Sequence, residues 1–241
     1  MGEEMTLFNK FGNMKTISIV VPTLNESKNI KYLFSNIPDF VDEIVVVDGN
    51  STDGTRDEVI KYRNDAKIII ENRLGKGQAL KTGFENASGD IVVIMDADGS
   101  HDPKELPRLL EPVLDGYDAS HGSRLLPGGG SNDFSVFRKL GNRMFVSLVN
   151  YMYGSEYTDL CYGYRAFKKD AIDKMTCTSK GFEIETEQSI RVRKAGLKVK
   201  EIPSFESQRI HGNSNLNSFK DGWRILDVIV REYIKDFESK K

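Results

Sequence analysis

Four short apolar runs, each closed by polar turn residues and separated by a helical pattern, constrain this chain more than anything else. Ile17-Ser18-Ile19-Val20-Val21 reads as a buried strand that Pro22 ends. Residues 43–48, 67–71 and 90–95 read the same way, and 117–122 looks like a fifth strand. Between them Ile30, Leu33, Phe34 and Ile37 fall at helical spacing, residues 76–86 read as a helix, and Pro103 opens another at a position that tolerates proline. This alternation implies an α/β fold with a mainly parallel central sheet and helices on both faces.

A parallel sheet gathers the loops after its strands at one edge, where such sheets bind ligands. Those loops are Pro22-Thr23-Leu24-Asn25-Glu26, the run from Asp48 through Gly49, Asn50, Ser51, Thr52, Asp53 and Gly54 to Thr55, then Arg73-Leu74-Gly75-Lys76-Gly77, and Asp96-Ala97-Asp98. Glu26 and Asp48 can accept hydrogen bonds from a ribose or base. The glycines beside Lys76 allow close backbone approach to a ligand, and Lys76 lies near a helix N-terminus, where anions are favoured. Alternate residues of an extended chain point the same way, so Asp96 and Asp98 can share one site. Two carboxylates that close call for a cation between them, and hard oxygen ligands suit Mg2+ or Mn2+. Together these parts describe a nucleotide-diphosphate site. Each part also has a plainer reading: Thr52, Asp53 or Asn25-Glu26 as helix caps, Lys76 as a solvated helix residue, Asp96-Ala97-Asp98 as an acidic turn.

The second half is less regular. Gly128-Gly129-Gly130-Ser131-Asn132 reads as a loop, 136–153 as a long helix, 161–167 as a strand, 183–195 as a helix, 197–202 and 205–209 as short strands, and 219–237 as a last amphipathic helix. The 136–153 helix carries a broad apolar face (Phe137, Leu140, Met144, Phe145, Leu148) beside basic Arg138, Lys139 and Arg143, a pattern that fits either a membrane interface or a core helix. Trp223, Leu226, Val230, Tyr233, Ile234 and Phe237 form a stripe expected to pack on the sheet or a partner.

The totals are those of one sizeable globular domain: 241 residues, 39% hydrophobic and 29% charged. A net charge of −2 argues against a dedicated nucleic-acid binder. Cys161 and Cys177 fit no metal-ligand spacing and no disulfide framework. No apolar run approaches the roughly twenty residues that span a bilayer, and residues 1–15 lack the core of a signal peptide. The expectation is a cytoplasmic protein, or one peripheral on the cytosolic face of a membrane.

In their order, Pro-Thr-Leu-Asn-Glu, Val-Val-Asp-Gly-Asn-Ser-Thr-Asp-Gly-Thr, Gly-Lys-Gly-Gln-Ala-Leu and Asp-Ala-Asp resemble glycosyltransferase family 2, with its GT-A fold. Gly122-Ser123-Arg124, the run from Thr158 to Arg165, and Arg209-Ile210-His211-Gly212-Asn213-Ser214 resemble its dolichol-phosphate mannose synthase branch. The resemblance runs from about Thr16 to Ser218. It implies residues 1–14 as a polar tail and 15–241 as a single GT-A domain, with a nucleotide-binding half to about 125 and an acceptor half from about 126. It also implies a GDP- or UDP-linked sugar donor, a divalent metal, inversion at the anomeric carbon and a polyprenyl phosphate acceptor. By similarity Pro22, Thr23, Asn25, Glu26, Asp48, Lys76, Gly77, Ala97 and Ser214 would hold the donor, and Asp96, Asp98 and Ser100 would face the metal. Arg209 would close over the donor diphosphate, and Arg124, Arg138 and Asn142 would bind the acceptor. Two positions depart from the pattern: Gly49 stands where a second acidic residue is usual, and Ser100 where the family often has Gln.

A phosphate acceptor is already anionic and needs cations rather than a base. A hydroxyl acceptor needs a general base. If the acceptor were a saccharide or small-molecule hydroxyl, Glu183 or Glu185 would be the candidate. A nucleotidyltransferase is the competing enzyme class. It would carry a glycine-rich basic loop after the first strand, where Pro22 to Glu26 stands instead.

Overall fold

The computed structural model describes residues 15–73, 75–212 and 216–238. The proposed tail and Ser214 lie outside the described residues, as does the Phe237 side chain. In chain order the elements are β1 (Ile17–Thr23), α1 (Ser27–Asn36), β2 (Glu43–Asp48), α2 (Thr55–Tyr62), β3 (Lys67–Ile70), α3 (Lys76–Asn86) and β4 (Ile91–Ile94). A 3-10 turn (Pro103–Glu105) leads into α4 (Leu106–Leu114) and β5 (Ala119–Ser123). Then come β6 (Gly130–Ser131), α5 (Val136–Tyr153), β7 (Arg165–Lys168), α6 (Lys169–Met175), α7 (Ile184–Lys194), β8 (Val199–Pro203), β9 (Phe205–Glu206) and α8 (Ser218–Glu238).

The main sheet has seven strands in the order β3-β2-β1-β4-β7-β5-β8, and β6 pairs with β9 in a small second sheet. All main-sheet pairings are parallel except those of β7, which runs antiparallel to both β4 and β5. The expected 161–167 strand is therefore shorter and later. Its first residues belong to a loop that enters the site, because Arg165 is the first to pair, opposite Ile94. The expected 205–209 strand stops at Glu206, since the following residues turn back over the site. Insertion of β7 between β4 and β5 brings the second half of the chain into the centre of the sheet built by the first.

Successive strand residues serve opposite faces. Ile19, Val21, Val46 and Val93 pack with Ile30, Leu33 and Leu109 on one side. Val20, Val45, Val92 and Ile94 pack with Leu80, Phe84 and Ile184 on the other. A third cluster joins α5, α7 and α8 through Phe145, Val149, Ile190, Ile225, Val228 and Ile229. In α8 the packed stripe is thus Ile225, Val228 and Ile229. Trp223, Val230 and Ile234 of the expected stripe are exposed and do not pack on the sheet. Helix α5 resolves its two readings unevenly: only Asn142, Phe145 and Val149 are buried, while Val136, Phe137, Leu140 and Met144 are exposed. Its N-terminus is set by Ser135, whose hydroxyl accepts from the Arg138 N–H, and it ends at Gly154 in the left-handed region. Among the described residues no helix is long and apolar enough to cross a membrane.

Candidate active site

The carboxyl ends of β1, β2 and β4 lie side by side, with Thr23 opposite Asp48 and Val20 opposite Ile94. Their loops, joined by α3, α5, α8 and the segment after β9, enclose a cavity of about 840 Å³.

The first two loops are laced together. Asn25 N donates to Ser51 Oγ (2.8 Å), Thr52 N to Asn25 Oδ1 (2.9 Å) and Glu26 N to Thr55 Oγ1 (2.9 Å). Asp53 Oδ2 accepts from Ser27 N (3.0 Å), so Asp53 caps α1 from the neighbouring loop, and its carboxyl titrates at about 2. Asp48 is fully buried, and its oxygens accept from Ser51 N (2.9 Å) and from the hydroxyls of Ser51 and Thr23. The carboxylate expected to read a ribose or base is spent on its own turn and does not line the cavity, nor does Asn25. Pro22, Thr23, Glu26, Lys76, Ala97 and Ser100 do line it.

The glycines beside Lys76 need a second correction. A Cβ on Gly77 would come within 2.2 Å of the Ser179 carbonyl oxygen, and one on Gly75 within 2.1 Å of that of Lys180. The close approach they permit is that of the chain's own 179–181 backbone, which seats the start of α3. Lys76 then reaches inward, with Nζ 2.7 Å from Asp96 Oδ1 and 2.8 Å from Glu185 Oε1. Burial disfavours the ammonium, but the two carboxylates outweigh it and raise its pKa. Burial likewise works to raise the Asp96 carboxyl, and Lys76, with His101 and Arg209, pulls it below the ordinary range.

Strand β4 ends at Ile94, so Asp96 and Asp98 sit in a turn beyond it rather than on extended chain. The turn is held by Asp96 N donating to His101 Nδ1 (3.1 Å) and Ser100 N to Asp98 Oδ1 (2.9 Å). His101 stacks on Tyr164, ring centroids 4.8 Å apart, and burial lowers its pKa. Arg209 spans the opening: Nη1 lies 2.7 Å from Glu26 Oε1 and Nη2 3.0 Å from Asp98 Oδ2. Its segment is also tied by Ser207 N to Ser100 O (2.9 Å) and Ile210 N to Asp98 O (3.1 Å). Desolvation raises the Glu26 carboxyl despite Arg209 and Asn29.

On the other side Arg124 is 6% exposed and forks onto Asp159, Nε to Oδ2 at 2.7 Å and Nη2 to Oδ1 at 2.9 Å. Its guanidinium lies 3.9 Å from the Phe134 ring centre, and Nη1 reaches Glu206 at 3.2 Å. Arg138 pairs with Asp133 at 3.2 Å. Asn142 is buried; its Oδ1 accepts from Leu160 N, and its Nδ2 has no partner among the described residues. Phe134 and Glu206 were invisible to sequence reasoning as site residues, because their partner Arg124 lies elsewhere in the chain (82 positions away for Glu206).

Asp96, Asp98 and Ser100 offer oxygen donors of the kind a hard divalent cation takes. Among the described residues no group of three or more His, Cys, Asp or Glu side chains is arranged to hold a metal unaided. Further oxygens would have to come from a ligand.

Residues 18–176 match the family model for glycosyl transferase family 2. The chain belongs to that family. It is therefore a glycosyltransferase, and relatives agree along most of its length. It is 32% identical to the glycosyltransferase AglJ of Haloferax volcanii over 89% of this chain and 71% of that protein. It is 33% identical to the undecaprenyl-phosphate mannosyltransferase of Micrococcus luteus, over 87% and 90%. It is 32% identical to the dolichol-phosphate mannosyltransferase of Pyrococcus furiosus over 83% of this chain, but spans only 59% of that relative. Among solved structures, glucosyl-3-phosphoglycerate synthase from Mycobacterium tuberculosis, in complex with Mn2+ and UDP-glucose, superposes with a TM-score of 0.75 at 23% identity, covering 95% of this chain and 82% of that one. That likeness establishes the GT-A fold of this family 2 glycosyltransferase.

Proposed function

We propose that this family 2 glycosyltransferase moves a sugar, with inversion, from a GDP- or UDP-linked donor to a polyprenyl phosphate at a membrane surface, with Mg2+ or Mn2+ as cofactor. The observation that carries the reading is that one cavity joins three surfaces: the carboxylate-bearing loops of Glu26, Asp96 and Asp98, the arginines Arg124 and Arg138, and the apolar walls of Phe137, Met144, Phe219 and Trp223. A nucleotide diphosphate, an acceptor phosphate and an isoprenoid chain match these in turn. The polyprenyl-phosphate relatives point the same way.

In this reading Pro22, Thr23, Glu26 and Ala97 line the donor's place, and Asp96 and Asp98, with Ser100, would hold the metal. When bound, a divalent cation would offset charge on the leaving diphosphate. Arg209 swings from Glu26 and Asp98 to the diphosphate oxygens and supplies positive charge there. Lys76 keeps Asp96 ionised and oriented. An acceptor phosphate oxygen attacks the anomeric carbon from the face opposite the diphosphate. The new carbon–oxygen bond forms as the old one breaks, and its electron pair leaves with the nucleotide. No proton needs removing, and much of the rate comes from alignment.

A hydroxyl acceptor is less well served. Glu183 Oε1 accepts from Lys180 N and Gly181 N, as a loop cap. Glu185 is held in an ion pair with Lys76 at 2.8 Å. The exposed apolar face of α5 supports a peripheral association with a membrane surface, proposed here on its cytosolic face.

The test incubates the protein with Mg2+ or Mn2+, a panel of nucleotide-sugars and a polyprenyl phosphate, and looks for lipid-linked sugar phosphate. Transfer that needs the metal is expected. Transfer to a free sugar with none to the lipid would sink the proposal.

A further inference from the structure

Arg124 already holds an anion. Its Nε and Nη2 edge is taken by Asp159, and Nη1 donates to Glu206 Oε2 at 3.2 Å. The guanidinium also lies against the rings of Phe134 and Tyr162, centres at 3.9 and 5.0 Å, which help hold it in place. Two carboxylates face one guanidinium, leaving the spot net negative. A phosphate monoester brings a further charge of about −1.5 to −2, and like charges in a half-dry cavity repel strongly. Asp159 is fully buried and also accepts from Cys161 N, so it stays. Glu206 is the group that can leave. Its side chain is 17% exposed and lines the cavity, and apart from Arg124 the hydrogen bond on that side chain is from one hydroxyl, Ser131 Oγ, while its backbone stays paired with β6.

Glu206 also begins the segment that carries Arg209. Ser207 N and Ile210 N tie that segment to the carbonyls of Ser100 and Asp98, and Arg209 bridges Glu26 and Asp98. One short stretch therefore has its first residue on the acceptor-side arginine and its fourth on the donor-side carboxylates. We infer that Glu206 is a positioning residue that stands in for the acceptor phosphate at Arg124. A phosphate entering there displaces it, and the displacement is passed along residues 206–209 to Arg209. This rests on the phosphate-acceptor reading above. It gives the enzyme a means to keep Arg209 on its own carboxylates until an acceptor is present.

Trp223, the sole tryptophan, lines the same cavity and reports occupancy by fluorescence. The variants are Glu206→Gln, which removes the charge at constant shape, and Ser131→Ala, which loosens Glu206 with no change of charge. The probes are inorganic phosphate and a short-chain polyprenyl phosphate. E206Q should bind both at least about fivefold more tightly than the unaltered protein, with S131A between. In the unaltered protein a saturating phosphate probe should change the affinity for a nucleoside diphosphate with Mg2+, reciprocally, and E206Q should reduce that factor towards one. Equal or weaker phosphate binding by E206Q, no binding by either protein, or coupling that survives E206Q unchanged overturns the inference. Tighter binding by E206Q in an enzyme that transfers no sugar to polyprenyl phosphate would uphold Glu206 and remove the lipid acceptor instead.

Discussion

At the scale of single residues, Lys76 organises the site without needing to touch a substrate. It is the buried cation between Asp96 and Glu185. Removing one member of a buried ion pair leaves the others uncompensated, at a cost of about 3–5 kcal/mol. Lys76→Met is expected to lower the unfolding free energy by an amount of that order, read by urea titration, and to move the acid limb of the rate profile to higher pH, because Asp96 loses the group that holds its carboxyl down. Adding Glu185→Gln should recover part of the stability; a double variant no better than the single one would argue against the pairing. A second prediction concerns His121, buried and stacked against Tyr157, with neither ring nitrogen partnered among the described residues. Burial and then Arg165 push its pKa well below the usual value. The unfolded chain therefore binds a proton that the folded one refuses. The contribution of His121 is complete above about pH 6.5 and is lost as pH falls below it, by about 1.4 kcal/mol per unit. Urea titrations at pH 7 and pH 5 should show a smaller loss for His121→Phe than for the unaltered protein.

At the scale of elements, glycine separates what was legible in the sequence from what was not. The strand–helix alternation and the four loops at one sheet edge were readable because hydrophobic period and turn chemistry are local. That Asp96 and Asp98 reach one cavity followed from the same reasoning. What Gly75 and Gly77 admit did not, because the backbone they receive lies about a hundred residues later. Asp48 shows a related limit: an aspartate before a Ser-rich turn can serve that turn as readily as a ligand. Reading β7 as a strand was possible, but its antiparallel place between β4 and β5 was not, since pairing partners leave no local mark. Gly77→Ala should push the start of α3 off the 179–181 backbone, costing about 1–3 kcal/mol. At Gly141, in α5, an added Cβ meets nothing within 4 Å. Gly141→Ala should stabilise by up to about 1 kcal/mol. Thermal unfolding of the pair reads both, and a tolerated Gly77→Ala would show that α3 is not seated by that contact.

At the scale of the whole molecule, the proposed membrane association rests on the open end of the cavity. Helices α5 and α8 carry Val136, Phe137, Leu140, Met144, Phe219 and Trp223, all more than half exposed. An apolar surface of this kind marks an interaction face, and Lys139 and Arg143 sit exposed on the same α5. A bilayer with anionic headgroups meets both features, the apolar side chains entering the interface and the cations facing phosphates. The phosphate of a polyprenyl acceptor would then stand at the headgroup level, beside Arg138 and Arg124, with its chain left in the lipid. The protein is expected to sediment with vesicles containing phosphatidylserine or phosphatidylglycerol, less with neutral ones, and less again as salt screens the basic residues. Trp223 emission should shift to shorter wavelength on binding. Replacing Leu140 and Phe219 together by Glu should abolish sedimentation and raise the KM for a long-chain acceptor, while leaving turnover of a water-soluble, short-chain phosphate largely intact. Loss of both activities together would mean that these side chains build the cavity rather than dock it to a membrane.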